Sequence, residues 1–296
     1  MDNELSVVAV GDLIEDVIVV TDPDPEIDTD NSAKIYGRVG GGAANFAVWA
    51  ASLSMDSKLM ARVGKGDAAK YSRYLAKLGV KAELQEDKEL ETGRIVVISD
   101  GTNRTFYTDR GANIHLETHL MSTDMFSSAM FISGYTILSL GTENTQALIK
   151  FAHENGMVVF LDPASHSFIE DYGVDYFAAA IEGCDVLLPN EAEAHILTGE
   201  SDPMKAADIL QKRYGAVAIT LGAEGAVVAN GEGVSKVSAP KVKAQDTTGA
   251  GDAFNAMLVR KLLEEERLVD AAREACAFAS EAVSIVGAHP TKKIEL

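Results

Sequence analysis

The chain has 296 residues, of which 47% are hydrophobic, so it is long enough for one large α/β domain with a small appendage, or for two domains. Its formal net charge of −19 argues against a nucleic-acid partner, because a phosphate backbone would be repelled. No apolar run approaches the roughly 20 residues of a membrane span, and no basic stretch followed by an apolar segment predicts a signal peptide, so we expect a cytoplasmic protein without a membrane partner.

The first elements are predicted to be a buried strand and a hairpin. Residues 5–10 are an apolar run that ends in Gly11 and Asp12, which predicts a buried strand leading into a turn. Residues 17–20 and 33–39 are strand-like, and the polar, acidic stretch between them contains two prolines, as is typical of a loop. Two strands around an acidic tip predict a hairpin that leaves the main body.

A glycine-rich stretch then opens a predicted helix. Residues 40–45 read GGGAAN, and the helix continues to about Leu53. Small residues let the backbone approach a ligand, and Asn45 offers both a donor and an acceptor. Taken alone, such a helix start is explained equally well by tight packing. A strand over 58–63 and a helix over 67–78 follow.

A second pair of strands interrupts the pattern. Residues 92–99 and 105–108 are strand-like and flank Asp100 and Gly101, and an Asp-Gly pair is a hairpin signal. Together with the first hairpin, this predicts about four strands without helices, inserted in an otherwise alternating chain.

From residue 129 onward, strands and helices alternate. This pattern predicts a parallel sheet with helices on both faces, whose sites lie at the carboxyl ends of the strands. The candidate ligands that follow strands are Asp12, Asp16, Asp162, Asn190 and Gly222. The predicted strands are 129–133, 157–161, 185–188 and 217–221, and the predicted helices are 143–155, 177–181, 191–197, 204–214 and 277–286. Cys184 and Cys276 lie in apolar segments and are predicted to be buried free thiols.

The most informative stretch is DTTGAGDAF, residues 246–254. Its small residues allow a close backbone approach, and the apolar spacing from Phe254 to Met257 predicts a helix from about Ala253. Free N–H groups and the positive end of the helix dipole meet at such a turn, which suits a phosphate or a developing anion. Asp252 would repel a phosphate, so we interpret it as a general base for an attacking hydroxyl, a pairing that phosphoryl transfer needs. A helix N-terminus with Asp in its first turn explains a lone Gly-x-Gly-Asp better than it explains the full run.

The run resembles the C-terminal signature of the ribokinase-like (PfkB) carbohydrate kinases, roughly D-T-x-G-A-G-D-x-F, at every fixed position. Gly40, Gly41 and Asn45 match the N-terminal G-G-x-x-x-N signature of the same family. The resemblance implies an α/β fold with a doubly wound, mostly parallel sheet, helices on both faces, and a small β-sheet lid. It divides the chain into a core of residues 1–14, 38–91 and 113–296 and a lid of residues 15–37 and 92–112.

The resemblance also implies an ATP-dependent phosphotransferase acting on a primary hydroxyl of a sugar or sugar derivative. Gly249, Ala250 and Gly251 would form the anion hole and Asp252 would be the base. For Arg110, an ordinary hinge ion pair is as good an explanation as substrate contact, and the same holds for Arg104. The implied substrate-binding residues are Asp12, Asp16, Gly40, Gly41, Asn45 and Arg110.

Further matches imply the cofactor sites. Asn190 and Glu193 match the family's N-x-x-E motif, which acts through water on Mg²⁺ and phosphate, although an N-cap Asn with acids in the first turn explains the pattern equally well. His289 is expected to be a surface-loop residue. The implied ATP contacts are Asn190, Thr220, Gly222, Gly225, Gly249 and Gly251, and the implied K⁺ ligands are Asp246, Thr248 and Gly287.

Two other functions remain open at this point. A nucleoside kinase of the same fold would need the lid, Phe46 and Tyr107 to accept a base. A non-catalytic sugar- or nucleotide-binding regulator is disfavoured by the intact Asp252. We also expect a homodimer formed through the lid, because the strand edges of the lid would otherwise be exposed.

Overall fold

The computed structural model describes residues 5–22, 24–99, 104–244, 246–284 and 288–290, with the backbone alone at Arg104. The strands are β1 (Ser6–Val10), β2 (Ile14–Val20), β3 (Lys34–Gly40), β4 (Asp56–Val63), β5 (Val80–Glu86), β6 (Arg94–Ser99), β7 (Arg104–Asp109), β8 (Ala129–Ser133), β9 (Val158–Asp162), β10 (Val186–Leu187), β11 (Ala216–Thr220), β12 (Ala226–Asn230) and β13 (Gly233–Val237). The helices are α1 (Gly42–Ser52), α2 (Ala68–Lys77), α3 (Ile137–Glu154), α4 (His166–Tyr172), α5 (Val174–Ala180), α6 (Glu191–Thr198), α7 (Pro203–Tyr214), α8 (Ala250–Leu263) and α9 (Leu268–Ala282).

A large sheet with the strand order β13-β12-β11-β10-β9-β8-β1-β4-β5 forms the centre of the molecule. The strands from β11 to β5 run parallel, and β12 and β13 are antiparallel. β1 and β8 are buried along nearly their whole length, because helices cover both faces, and such strands are continuous apolar runs in the sequence. The predicted mostly parallel sheet is confirmed.

The strand order reverses beside β1, which pairs with β4 on one side and β8 on the other. At such a switch point the connections leave in opposite directions and open a crevice at the carboxyl edge. Asp12 follows β1, Ser133 ends β8 and Asp162 ends β9. The topology therefore brings these polar side chains to one edge of the sheet.

Two apolar layers hold the helices on the sheet. α1, α2, α8 and α9 pack on one face, and α3 to α7 pack on the other. On the first face, Phe46 of α1 stacks on Phe131 of β8 with ring centroids 3.8 Å apart. Within the described residues, no helix has the length and hydrophobicity needed to cross a lipid bilayer.

A separate small sheet has the order β3-β2-β6-β7. β2 and β3 form the predicted antiparallel hairpin, β6 and β7 are antiparallel, and β2 and β6 run parallel. The predicted turn at residues 100–103 lies outside the described residues. The limits of the lid at 15–37 and 92–112 stay a prediction.

Several element boundaries differ from the sequence prediction. α8 begins at Ala250 rather than near Ala253, because the glycine run itself forms the first helical turn. α9 begins at Leu268, nine residues before the predicted start, since its charged first turns still place Leu268 in the core. Three elements were not predicted, namely β5, β13 and α4. β5 is an edge strand whose sequence, VKAELQE, alternates apolar and polar residues, so its period of two was a detectable signal.

Phe46→Ala tests the stacking between α1 and β8. Phe46 is fully buried, so we expect the free energy of unfolding to fall by about 3–5 kcal/mol through lost contacts and a cavity. The measurement is urea denaturation followed by circular dichroism. Tyr176→Ala is the control, because Tyr176 is 71% exposed and its loss should change stability by less than about 0.5 kcal/mol. Equal stability of the two variants would contradict the role of the stack.

Candidate active site

The glycine turn before α8 is shaped by close packing. Gly249 is the N-cap of α8 with φ of 78°, and a Cβ there would overlap the carbonyl oxygen of Ala288, so only glycine fits. The Ala288 oxygen also accepts a hydrogen bond of 2.9 Å from the Trp49 indole, which fixes it. The amides of Gly251 and Asp252 donate to no acceptor among the described residues. They are therefore available to an anion at the positive end of the helix.

The Asp252 carboxyl lies one residue beyond this turn and is partly buried. Burial raises its pKa well above the usual range, the nearby Asp162 and Asp12 charges raise it further, and a hydrogen bond from Asn45 partly offsets these effects. The Oδ1 atom of Asn45 is buried without a hydrogen-bond partner in the described part of the chain. A substrate hydroxyl that donates to Asn45 or Asp252 would satisfy these acceptors.

Asp12 is held by the start of α1 and the end of β8. Its Oδ2 accepts from the Gly42 amide at 3.2 Å and its Oδ1 accepts from the Ser133 hydroxyl at 3.0 Å. Gly41 has φ of 98°, and a Cβ there would lie 2.5 Å from the Asp12 carbonyl oxygen, which again requires glycine. Ser133 was not identified from the sequence, because only the sheet topology brings β8 beside β1.

Asp16 lies on β2 with its carboxylate against the Cα of Gly40. Its pKa is raised to about 6, first by burial and then by the Asp12 charge, with Arg38 acting in the opposite direction. The structure therefore brings the predicted sugar-binding residues Asp12, Asp16, Gly40 and Gly41 to one place.

Arg110 reaches the same place from the end of the second sheet. Its guanidinium lies 3.4 Å from the centre of the Tyr135 ring, and its Nη1 is 4.0 Å from the Asp12 Oδ2. This Nη1 is buried and has no hydrogen-bond partner among the described residues. The Asn113 side chain, also missed from the sequence, bonds the Leu13 backbone at both its N–H and its C=O and donates to the Arg110 carbonyl. The side chain of Arg104, for which the sequence leaves the same two explanations as for Arg110, lies outside the described residues.

Asn190 and Glu193 form a reciprocal capping box at the start of α6. Asn190 accepts from the Glu193 amide at 2.9 Å, and the Glu193 carboxyl accepts from the Asn190 amide at 2.9 Å. The N-cap interpretation is thus confirmed, and the motif's role towards metal stays a prediction. Glu193 is 2% exposed, and burial followed by the Asp162 charge raises its pKa to about 8.

Asp162 lies near both Glu193 and Asp252, since its charge raises the pKa of each. Its Oδ2 accepts from Asn255 at 2.7 Å and its Oδ1 from the Ala164 amide at 2.8 Å. Burial and the Asp12 charge raise its pKa to about 6. Asn255 was missed from the sequence, although a buried amide between Phe254 and Met257 on an apolar helix face is a detectable signal. No group of three or more His, Cys, Asp or Glu among the described residues is arranged to hold a metal ion.

A cavity of about 580 Å³ opens beside the glycine turn. Its lining combines apolar side chains of α8, α9 and the 239–244 segment with four predicted ATP contacts, Thr220, Gly222, Gly225 and Gly251. Asn190 and Gly249 do not line it, although Asn190 pairs with Thr220 in an isolated β-bridge.

The remaining predicted residues have mixed outcomes. The Asp246 Oδ1 accepts from the Thr248 amide and hydroxyl at 3.0 and 2.7 Å, while Gly287 lies outside the described residues. The surface prediction for His289 is wrong, because its ring is 6% exposed and its Nε2 lies 3.0 Å from the Val39 carbonyl. Phe46 is fully buried, so it does not offer the contact with a base that the nucleoside alternative would need from it.

Comparison with known proteins places the chain in a family. The model for the pfkB family carbohydrate kinases matches residues 4–294. The chain belongs to the pfkB family. The ribokinase of Haemophilus influenzae is 30% identical over 269 residues, covering 86% of this chain and 85% of that protein. The predicted kinase class is confirmed.

Two solved structures share the fold of this pfkB-family kinase. The adenosine kinase from Sinorhizobium meliloti superposes with a TM-score of 0.86 at 20% identity, covering 98% of this chain and 97% of that chain. A putative ribokinase II in complex with ATP and Mg²⁺ from E. coli superposes with a TM-score of 0.83 at 20% identity, covering 96% of this chain and 94% of that chain.

Glu193 makes the stability of the ligand-free kinase depend on pH. Its pKa rises from 4.5 to about 8 on folding, so the folded state holds a proton that the unfolded chain releases. This bound proton stabilises the folded state fully below pH 4.5, and the stabilisation is lost as the pH rises to about 8. We therefore expect the free energy of unfolding, measured by urea denaturation, to fall across this range.

Glu193→Gln should flatten this fall, leaving the part due to Asp16 and Asp162, whose pKa values are each raised to about 6, and to Asp252, whose pKa is raised well above its usual range. The lost hydrogen bond lowers the whole curve, so the slope against pH is the informative quantity. Glu191→Gln is the matched control, because Glu191 is an exposed acid in the same helical turn. A Glu193→Gln slope equal to that of wild type would contradict the assignment.

Proposed function

We propose that this kinase transfers the γ-phosphoryl group of ATP to a primary hydroxyl of a sugar or sugar derivative. One observation carries the proposal: the amides of Gly251 and Asp252, which donate to no acceptor within the described residues, share a single helical turn with the Asp252 carboxyl, whose pKa burial raises. Phosphoryl transfer needs donors for the charge on the moving group and an acceptor for the proton of the attacking hydroxyl. This turn supplies both.

The acceptor binds at the switch point of the sheet. Asp12, Asp16 and the unpaired Oδ1 of Asn45 accept hydrogen bonds from its hydroxyls, and Gly40 and Gly41 let the ring approach the backbone. The attacking hydroxyl lies against Asp252, which takes its proton. The family membership and the ribokinase relative support a sugar acceptor.

ATP lies in the cavity along Thr220, Gly222 and Gly225, with its terminal phosphates at the turn of Gly249, Ala250 and Gly251. Bound Mg²⁺ supplies positive charge that offsets the charge of the phosphates. The donor set fits water-mediated binding of Mg²⁺. Glu193 and Asp162 are buried acids whose charges interact, Asn190 adds an amide, and within the described residues no group of three or more metal-ligating side chains forms a cage.

We also propose that Asp246 and Thr248, together with Gly287, hold K⁺. Oxygen donors of this kind suit a monovalent cation, and the Asp246 carboxylate is oriented by Thr248. Replacing KCl by tetramethylammonium chloride in the activity assay measures the contribution of K⁺.

A nucleoside acceptor is the second candidate. Tyr107 is 60% exposed but lies on the face of the second sheet opposite Asp16, whereas Phe106, also 60% exposed, shares the Asp16 face and would be the aromatic contact for a base. The likeness to an adenosine kinase concerns the fold alone, so an acceptor panel that includes nucleosides separates the candidates.

The second sheet supports a homodimer. The register places Val19, Ile35, Ile98 and Tyr107 on the face opposite Asp16, and Ile35 is 66% exposed. A four-stranded sheet with apolar side chains on the face turned away from the site needs a cover. A second copy of the same sheet supplies one of matching size and character.

Asp252→Asn tests the base. The variant should fold and bind ATP but lose about 10²–10⁴-fold in kcat, because the attacking hydroxyl loses its proton acceptor. The measurement is ADP release with Mg–ATP over sugars, sugar acids and nucleosides, with ATP affinity by calorimetry. Asp208→Asn is the control, an exposed acid on α7 paired with Lys212. A near-wild-type kcat would exclude Asp252 as the base, and ATP binding without turnover of any acceptor would support a regulator.

Ile35→Lys tests the dimer. A charge on this exposed apolar face should shift the protein from dimer to monomer in sedimentation velocity, because lysine cannot be buried unpaired. Ile209→Lys is the control, since Ile209 is 47% exposed but lies on α7, outside the second sheet. If wild type and Ile35→Lys sediment alike, the proposed interface is wrong.

A further inference from the structure

The contact between Arg110 and Asp12 is incomplete as it stands. The Nη1 of Arg110 and the Oδ2 of Asp12 are 4.0 Å apart, beyond hydrogen-bond distance, and this Nη1 has no partner among the described residues. A buried cationic donor without an acceptor is costly. An oxygen that accepts from Nη1 and donates to Oδ2 would satisfy both atoms.

The position of Arg110 is fixed rather than adjustable. Its guanidinium lies 3.4 Å from the Tyr135 ring centre, and its carbonyl is held by the Asn113 amide at 3.0 Å. Asn113 also bonds the backbone of Leu13, next to Asp12. Asn113 thus ties the backbone of Arg110 to the backbone next to Asp12, and the Tyr135 ring holds the guanidinium. The gap between Arg110 and Asp12 is therefore part of the fold.

The gap is small. The cavity that Arg110, Asp12, Tyr135 and Thr136 share has a volume of about 10 Å³, which is room for one water-sized oxygen. A single oxygen about 2.8 Å from each atom fits between atoms 4.0 Å apart. The gap thus has room for one oxygen atom, and charge decides whether that oxygen belongs to a hydroxyl or to an anion.

Charge favours a hydroxyl over an anion. The positive charge of Arg110 is already opposed by Asp12, whose charge also acts on Asp16 and Asp252. A carboxylate or phosphate beside Arg110 would also lie beside Asp12 and be repelled by it. A hydroxyl is different, because it accepts from a cation and donates to a carboxylate at the same time.

We propose that Arg110 and Asp12 form a specificity element for an uncharged acceptor, in which one substrate hydroxyl accepts from Nη1 and donates to Oδ2. This inference rests on the proposed function and narrows it, since it excludes sugar acids and sugar phosphates while admitting neutral sugars and nucleosides.

The first test compares matched acceptors on the wild-type kinase. The pairs are D-ribose with D-ribonate, D-glucose with D-gluconate and D-fructose with D-fructose 6-phosphate, with adenosine alongside, and kcat/KM is measured by ADP release. We expect the neutral member of the active pair to exceed the charged one by roughly 10²-fold or more, from the repulsion at Asp12. A preference for a charged acceptor overturns the inference and leaves the kinase assignment intact, whereas no turnover of any acceptor contradicts the proposed function itself.

The second test uses Arg110→Met and the monodeoxy analogues of the preferred acceptor. In wild type, the analogue that lacks the bridging hydroxyl should lose about 10–10²-fold in kcat/KM. In Arg110→Met, that analogue and the parent should be nearly equal, while the other analogues keep their usual ratios to the parent. A purely structural Arg110, with a water in the gap, would lower kcat/KM for all acceptors by one factor, and that result overturns the proposal.

Arg213→Met is the matched control for this substitution. Arg213 also lies over a tyrosine, 5.2 Å from the Tyr214 ring centre, and pairs with Glu182. Because Arg213 is on α7, its substitution should leave the ratios between acceptors unchanged.

Discussion

The crowding of carboxyl groups at the carboxyl edge of the sheet is the constraint on which the rest of the site depends. Burial raises the pKa values of Asp16, Asp162, Glu193 and Asp252, and the charges of Asp12 and Asp162 raise them further. Such a cluster is unfavourable in the ligand-free protein, because the charges are desolvated and of one sign. It becomes favourable when hydroxyl donors and a divalent cation arrive. The free energy of unfolding that the cluster costs the protein without ligands is therefore regained when ligands bind.

Glycines make this crowding possible, because backbone atoms occupy the space where a Cβ would otherwise lie. Gly41 lets the Asp12 carbonyl approach, and Gly249 lets the Ala288 carbonyl seat the turn before α8. Because the Ala288 oxygen also binds the Trp49 indole, the anion turn is tied to the same helix, α1, that carries Asn45. The glycines before α1 and the glycine turn before α8 are therefore parts of one packed unit, and their spacing is set by the core rather than by loops.

Local patterns predicted the parts of this protein that local physics determines. The glycine run, the helix after it and the carboxylate of Asp252 could be identified because turn, helix start and carboxylate lie within nine residues, and the alternation of strands and helices predicted the sheet. What could not be predicted depends on tertiary contacts. Asn255 bonds Asp162 across the sheet edge, and His289 is buried only because its segment packs against β3. Edge strand β5 is a different case, because its alternation of apolar and polar residues was a local signal that could have been used.

The overall charge of the chain and the chemistry of the site fit together. With a net charge of −19, the long-range field repels anions, so ATP is attracted only by local donors and by the cation that accompanies it. A second anion, on the acceptor, would face the same field with no cation of its own, since Arg110 is already opposed by Asp12. An acidic protein can bind one anionic substrate through a metal ion and a helix terminus. A neutral acceptor suits the remaining groups of this site, because Asp12 and Asp16 accept from hydroxyl groups while Arg110 and Arg38 are each already opposed by one of these carboxylates.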